Sequence, residues 1–441
     1  MRPLPETIPA ASTSANARAD HAAVADLAFA RCVEDWLQGL SCSQAERERR
    51  RRLFRQAAAA GLPDTRTEAW RYADLKGLAL ADFFPSLAGT PEDDEDDAAP
   101  WDQWRFRDGR CCERNRQAGD TVNAWSLDRG CPPDLLTPGV PEREDSVWQL
   151  ARAFATHGVQ VNITRGQERR LELISTAHAG PAHGLYHLRV APEANLTLLI
   201  RIKGGATAVS ERIRLTLEEG ARARILLLQE AAAGTHHFLR VDAELGAQAA
   251  LVFGQAVVGT GYARAEHHWR FAGSAGRGEL ALLGLPHAGG RADVLTRFRH
   301  SGRRTQSHQS VRMLAARRDR AVYQGLVHVA HGADGTDSRQ DAKGLLLTRG
   351  GEIDLKPELE IFADDVACAH GATVGQLDPL ALFYLMARGI PEEEARRMLI
   401  MAFADAVIRL WPDADGFSHA MEEAVAPALA ALSRMDEGAA A

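Results

Sequence analysis

The chain has 441 residues, enough for about three folding units at ~150 residues each. Hydrophobic residues make up 45%, charged residues 25% and aromatics 6%, which excludes wholesale disorder and fibrous structure. With 52 basic against 59 acidic side chains, the formal net charge of −7 also excludes a chain that binds nucleic acid through bulk positive potential.

Met1 to Ala19 has no continuous apolar core of the kind a secretory leader needs, so export is not expected. A cytoplasmic, reducing compartment follows, and the six cysteines are too sparse to staple a chain of this size. From Ala22 to Gly61 the pattern is helical. Leu27, Val33, Trp36, Leu37 and Leu40 recur at helical spacing, and Gln44 to Ala60 continues to a stop at Gly61-Leu62-Pro63. The basic run Arg47 to Arg52 reads as a solvated helix face, and the acidic block Glu92 to Asp97 as an exposed loop. Residues 1–141 are therefore predicted to form an N-terminal helical unit.

Between Val159 and Leu359 short apolar runs alternate with Gly, as at Leu196 to Ile202, Ile213 to Leu217, Ile225 to Leu228 and Leu280 to Leu285. None approaches the ~20 apolar residues of a membrane-spanning helix. They recur. The stretch from Gly220 matches that from Gly246 at an offset of 26, and His236-His237 precedes His267-His268 by 31. A quasi-period of 26 to 31 residues with Gly at the corners predicts a β-solenoid over 142–377, whereas a sandwich would place turns every 8 to 12 residues without such recurrence.

After Asp378 helices return, giving a third unit over 378–441. Pro379 to Leu385 reads as one helix, and Pro391-Glu392-Glu393-Glu394 opens another with proline and carboxylates at its positive end. Ala395, Met398, Leu399, Ala402, Phe403, Ala406 and Leu410 mark an apolar face on it, for packing or for docking a partner. A last helix covers Ala420 to Met435.

Several side chains invite chemistry. Adjacent histidines on a strand point to opposite faces, so His236-His237 and His267-His268 do not make a metal site without a bulge, although stacked coils could align one ring from each pair. His328 and His331 meet the same objection. Asp364-Asp365 diverge likewise, and turn solvation explains Asp337 and Asp341 as well as catalysis does. No phosphate-cradling loop, GxSxG elbow or HExxH helix is present. Cys32, Cys42, Cys111, Cys112 and Cys131 have no partner-like spacing. Cys368 stands apart, because alternation puts it on the same side of a strand as His370, about 7 Å away. The pair is either a buried strand end or two donors of a thiolate and imidazole site that needs further ligands from another chain.

This same region carries a family resemblance. Lys356-Pro357-Glu358-Leu359-Glu360-Ile361-Phe362-Ala363-Asp364-Asp365-Val366, Cys368-Ala369-His370-Gly371-Ala372 through Asp378, and Leu382-Phe383-Tyr384-Leu385 with Arg388-Gly389-Ile390 closely resemble the SufB/SufD family of the SUF iron-sulfur cluster assembly system, on its SufD side. Tyr323-Gln324-Gly325, Gln340 and Leu345-Leu346-Leu347 fit the family core, and Glu68-Ala69-Trp70-Arg71-Tyr72 resembles the entry motif of its N-terminal domain. SufB-like members read His-Glu-Ala where this chain has Cys368 to Ala372. The resemblance implies a mainly β fold, a right-handed parallel β-helix flanked by N-terminal and C-terminal helical domains. It implies a non-catalytic scaffold that pairs with a SufB-like paralogue, or with itself when isolated, and whose C-terminal helices hold a SufC-like ATPase. Through it, His370 and Cys368 become metal-site candidates at a transient iron-sulfur cluster shared with SufB. Leu382, Phe383, Tyr384, Arg388, Met398, Leu399 and Phe403 become partner-docking candidates. A reduced flavin, associated with the family, has no motif to assign here. The rival readings are a β-helix carbohydrate-active enzyme and a purely structural solenoid adaptor.

Overall fold

A computed structural model describes residues 28–73, 75–85, 102–114, 122–127, 144–178, 180–409 and 417–433. The acidic block 92–97, Cys131 and Leu410 lie outside them. Helix α1 covers residues 28–39, and the Ser43 hydroxyl accepts the Glu46 N–H to cap α2 (Gln44–Ala60), which stops at Gly61 with φ 68°. The basic run on α2 is not one solvated face. Arg50 is fully buried and donates to the Ala153 and Ala155 carbonyls at 3.2 and 2.9 Å, while Arg51 pairs with Glu34 and Glu48. Asp145 caps α3 (Ser146–Ala153) through the amides of Val147 and Trp148.

The strands are β1 (Asp102–Arg107), β2 (Arg110–Arg114), β3 (Val122–Ser126), β4 (His157–Ile163), β5 (Glu168–Ala177), β6 (Ala182–Val190), β7 (Asn195–Gly204), β8 (Ala208–Leu217), β9 (Arg222–Ala231) and β10 (His236–Leu245). They continue as β11 (Ala250–Gly259), β12 (Tyr262–Phe271), β13 (Arg277–Pro286), β14 (Arg291–His300), β15 (Gln306–Ala315), β16 (Arg320–Val329), β17 (Thr336–Leu346), β18 (Glu352–Ile361) and β19 (Val366–Gln376). One sheet runs β2-β1-β5-β7-β9-β11-β13-β15-β17-β19, and the other β3-β4-β6-β8-β10-β12-β14-β16-β18. From β4 and β5 onward neighbours are parallel, so the chain winds alternately through the two sheets as a parallel β-solenoid. Strands β1 to β3 fall within the stretch expected to be helical. β1 pairs with β5 and β3 with β4, so the sheets extend across the expected boundary at 141.

The recurrence is real but its register differs from the sequence match. Ala223 faces Leu251, an offset of 28, because the corner before β11 takes extra residues and turns at Gln248 with φ 57°. His236 faces Tyr262 and His267 faces Val241, so the histidine pairs do not stack. Left-handed corners fall on Glu193, Gln248, Ala275 and Arg304 as well as on glycines.

Alternation sends Ile225, Leu227, Phe253, Val257, Val241, Trp269 and Phe298 into the lumen between the sheets. Leu226, Leu228, Leu283, Leu285 and Leu314 face outward, where α5 (Glu392–Ile408) and α6 (Phe417–Ser433) cover them; α4 (Pro379–Ala387) leads into this pair. On the other outer face the N-terminal helices sit over a chain of buried ions. Arg212 and Arg240 share Asp242 at 2.8 and 2.9 Å, and Arg264 bonds Glu266 at 2.8 Å and Asp293 at 2.5 Å. The residues Glu68 to Trp70 clasp this face: Trp70 lies 4.0 Å from the Arg264 guanidinium, the Ala69 carbonyl accepts from it at 2.7 Å, and Glu68 meets Lys356 of β18 at 2.5 Å. Burial alone would raise the Glu266 pKa, yet Arg264, His268 and Arg240 hold it well below the usual range. No described helix is long and apolar enough to cross a membrane.

Candidate functional site at the open end of the solenoid

The last coil has neighbours on one side only. β18 pairs with β16 and β19 with β17, and each is the edge of its sheet. Here the lumen opens, and Ile361, Phe362 and Val374 are 40%, 49% and 44% exposed. Such an edge presents unpaired backbone groups and apolar surface to another chain.

Cys368 and His370 sit in this strand. Their ladder partners on β17 are Ser338 and Gln340. Val366 and Cys368 pack against the lumenal core, so this is the inward side, and His370 shares it two residues on. The sequence expectation of a common side is met, but the pair is not a buried strand end, since Cys368 is half-buried and His370 exposed. Burial pushes the Cys368 thiol upward; the nearby Asp337 charge adds to this and a backbone hydrogen bond with Ser338 opposes it. A metal that takes the sulfur must therefore displace its proton.

The other sequence candidates are accounted for by packing. His237 and His267 are fully buried, their pKa values lowered by burial to about 4 and about 3, with partners at the Glu230 carbonyl and Gln255. His328 and His331 lie against the Phe362 ring at 5.3 and 5.5 Å. Asp337 pairs with Arg339 and Asp341 with Arg312, while Asp364 and Asp365 are exposed. Among the described residues no group of three or more His, Cys, Asp and Glu is placed to hold a metal ion. A complete site at Cys368 and His370 thus needs donors from beyond the described residues.

Beside the open end, α4 buries none of its residues. Leu380, Phe383, Tyr384 and Met386 are exposed, and Arg388 donates to the Tyr384 hydroxyl at 2.9 Å. Leu382 and Leu399 are half-buried, and Met398 is exposed. The face of α5 differs from the one read in the sequence. It buries Ala395, Ile400, Ala404, Val407 and Ile408, whereas Ala402 and Ala406 face solvent and Phe403 packs toward the sheet beside Arg312. The leucines offered by β13 and β15 select the buried face, and that choice is invisible in the helix's own periodicity. Sequence reasoning also gave Gln340 no role beyond a family match, although its side chain lies buried next to His370.

The chain is thus a parallel β-solenoid with helices on both faces, an unsealed end and a thiol-imidazole pair at that end. Comparison with known proteins gives the family. The model described as "SUF system FeS cluster assembly, SufBD core domain" matches residues 174–403, more than half of the chain, which belongs to the SufB/SufD family. The iron-sulfur cluster assembly protein SufD of Escherichia coli (strain K12) is 28% identical over 370 residues, covering 80% of this chain and 86% of that protein. SufD of Bacillus subtilis is 39% identical over 92 residues, 21% of each chain, and the chloroplastic protein ABCI7 of Arabidopsis thaliana 44% over 93 residues, 21% of this chain and 20% of that one. The chain is an iron-sulfur cluster assembly subunit of the SUF system.

Proposed function

We propose that this subunit is a non-catalytic, cytoplasmic scaffold that supplies one half of a nascent cluster site. The observation that carries the reading is the placement of Cys368 and His370 on the inward side of the unpaired edge strand β19. A SufB-like paralogue seated on the open end would bring further thiolates against them, completing a coordination that two donors leave open. Iron and sulfide are the cargo of this site. In this scheme ATP hydrolysis belongs to a SufC-like partner, which would dock on the exposed apolar residues of α4 and on Met398 of α5, in keeping with a sequence that carries no phosphate-cradling loop. Because α5 and α6 pack directly on β11, β13 and β15, a pull on the helices by ATP-driven dimerisation of that partner would reach the sheet that ends in β19. Flavin has no assigned residue in this scheme.

The test is anaerobic reconstitution of the chain with its SufB-like and SufC-like partners, followed by iron and sulfide analysis. His370→Ala is expected to cut cluster yield at least about tenfold while leaving the complex assembled. A wild-type rate in the variant removes the role of His370, and absence of iron and sulfide from the wild-type complex favours a purely structural adaptor.

A further inference from the structure

Gln340 is 3% exposed, and neither its amide oxygen nor its amide nitrogen has a partner, although buried polar groups in proteins are ordinarily paired. Among the described residues it is the one glutamine with both amide atoms buried and unpartnered. The coil beneath differs at the amide oxygen. Gln309 occupies the same register on β15, and although its Nε2 is also unpartnered, its Oε1 accepts from Thr296 at 2.7 Å and from Tyr323 at 3.0 Å. An unpaired buried amide costs about 1–3 kcal/mol, so its retention at the lumen mouth asks for a partner.

The register identifies that partner. Gln340 lies directly beside His370, on the same inward side as Cys368. An amide offers one acceptor and one N–H donor group. A metal-bound imidazole needs an acceptor for its second N–H, and a metal-bound thiolate gains from an N–H donor to sulfur. We propose that Gln340 is the positioning residue of the Cys368–His370 site, its Oε1 accepting from the His370 ring and its Nε2 donating to the Cys368 sulfur when iron is held there. The inference rests on the metal role of Cys368 and His370 proposed above.

The experiment uses the anaerobic complex with the SufB-like paralogue and cobalt(II) alone as the probe, read through its sulfur-to-metal charge-transfer band and with thermal melting as control. Gln340→Met fills the same space without hydrogen bonds, and Gln340→Glu keeps the acceptor but loses the donor. The expected result is a loss of cobalt affinity of about 10-fold or more in Gln340→Met, a smaller loss in Gln340→Glu, and a shift of the band to longer wavelength in both, with Gln340→Met melting no lower than wild type because it removes the unpaired buried amide. If both variants match wild type in affinity and band position while Cys368→Ala and His370→Ala abolish the band, Gln340 has no positioning role and the site itself stands. If Cys368→Ala and His370→Ala also leave the band as in wild type, or wild type shows no band, both proposals fall. Should Gln340→Met not fold, the unshifted band of a folded Gln340→Glu is the overturning result.

Discussion

Glu211 is a carboxyl sealed in the lumen near the N-terminal end of the solenoid. Its Oε1 accepts from Ser175 at 2.8 Å and lies 3.7 Å from His157 Nε2, and a Cβ on Gly184 would sit 1.6 Å from its Oε2, so only glycine leaves room for it. Burial pushes Glu211 up to about 8 and His157 down to about 3, so both are neutral at pH 7. Between pH 4.5 and 8 the unfolded chain has lost the Glu211 proton while the folded chain keeps it, so the Glu211 contribution to stability falls as pH rises, by about 1.4 kcal/mol per unit, while buried His157 contributes in the opposite sense below pH 6.5. Above pH 8 the Glu211 contribution levels off. Glu211→Gln should remove that contribution alone, so the stability of the variant relative to wild type should rise from pH 5 to pH 8 and favour the variant at pH 7.5, as seen by denaturant melts at pH 5, 6, 7 and 8. Parallel wild-type and variant curves would refute it. The depressed Glu266 and Asp242 act in the opposite direction, losing stability only in acid, and cancel in this difference. That Cys368 and His370 share one side of a strand is readable in sequence because alternation along one strand is local information. The burial of Glu211 and the orphaned amide of Gln340 depend on which strands become neighbours, and no short window of sequence carries that.

Helix α4 combines an Asp378 cap, which accepts the Leu380 amide at 2.9 Å, with half-buried Leu382 and Leu385 and the exposed Leu380, Phe383, Tyr384 and Met386. A helix of nine residues is not held by propensity, so its local order comes from the cap, the preceding strand and the turn at Gly389. Since Phe383 and Tyr384 are 69% and 57% exposed, Phe383→Asp combined with Tyr384→Asp should leave the melting temperature within about 2 °C of wild type. The same pair should abolish co-purification of the SufC-like ATPase, by placing charges in the centre of an apolar contact. Retention of that partner at wild-type stoichiometry would move docking away from α4. The existence of α4, α5 and the solenoid strands was readable from helix starts, periodicity and glycine punctuation. The buried face of α5 was not, and neither was the pairing of β1 with β5 and of β3 with β4, strands far along the chain; the β1–β2 hairpin at Asp108-Gly109 is by contrast a local signal.

In a solenoid each coil is stabilised by the coils on either side, so stability is expected to be unequal along the molecule. β8, β10 and β12 have strands on both flanks and the N-terminal unit over their outer face, whereas β18 and β19 have one neighbour each. The two edges differ. β18 carries Pro357, which has no N–H to offer, with Asp354, Lys356, Glu358 and Glu360 on its outer side, and the Lys356–Glu68 pair ties it to the N-terminal unit. β19 sets out Ala367, Ala369, Gly371 and Thr373, small uncharged residues that admit another backbone. Hydrogen exchange of the isolated chain should therefore show β18 and β19 as the fastest strands of the solenoid. On adding the SufB-like paralogue, amides of β19 should slow at least about tenfold, a gain of ~1.4 kcal/mol in local stability, and those of β18 by less. Equal slowing of both strands would mean that the guarded edge pairs as readily as the open one, and unchanged exchange in β19 would show that the paralogue binds elsewhere.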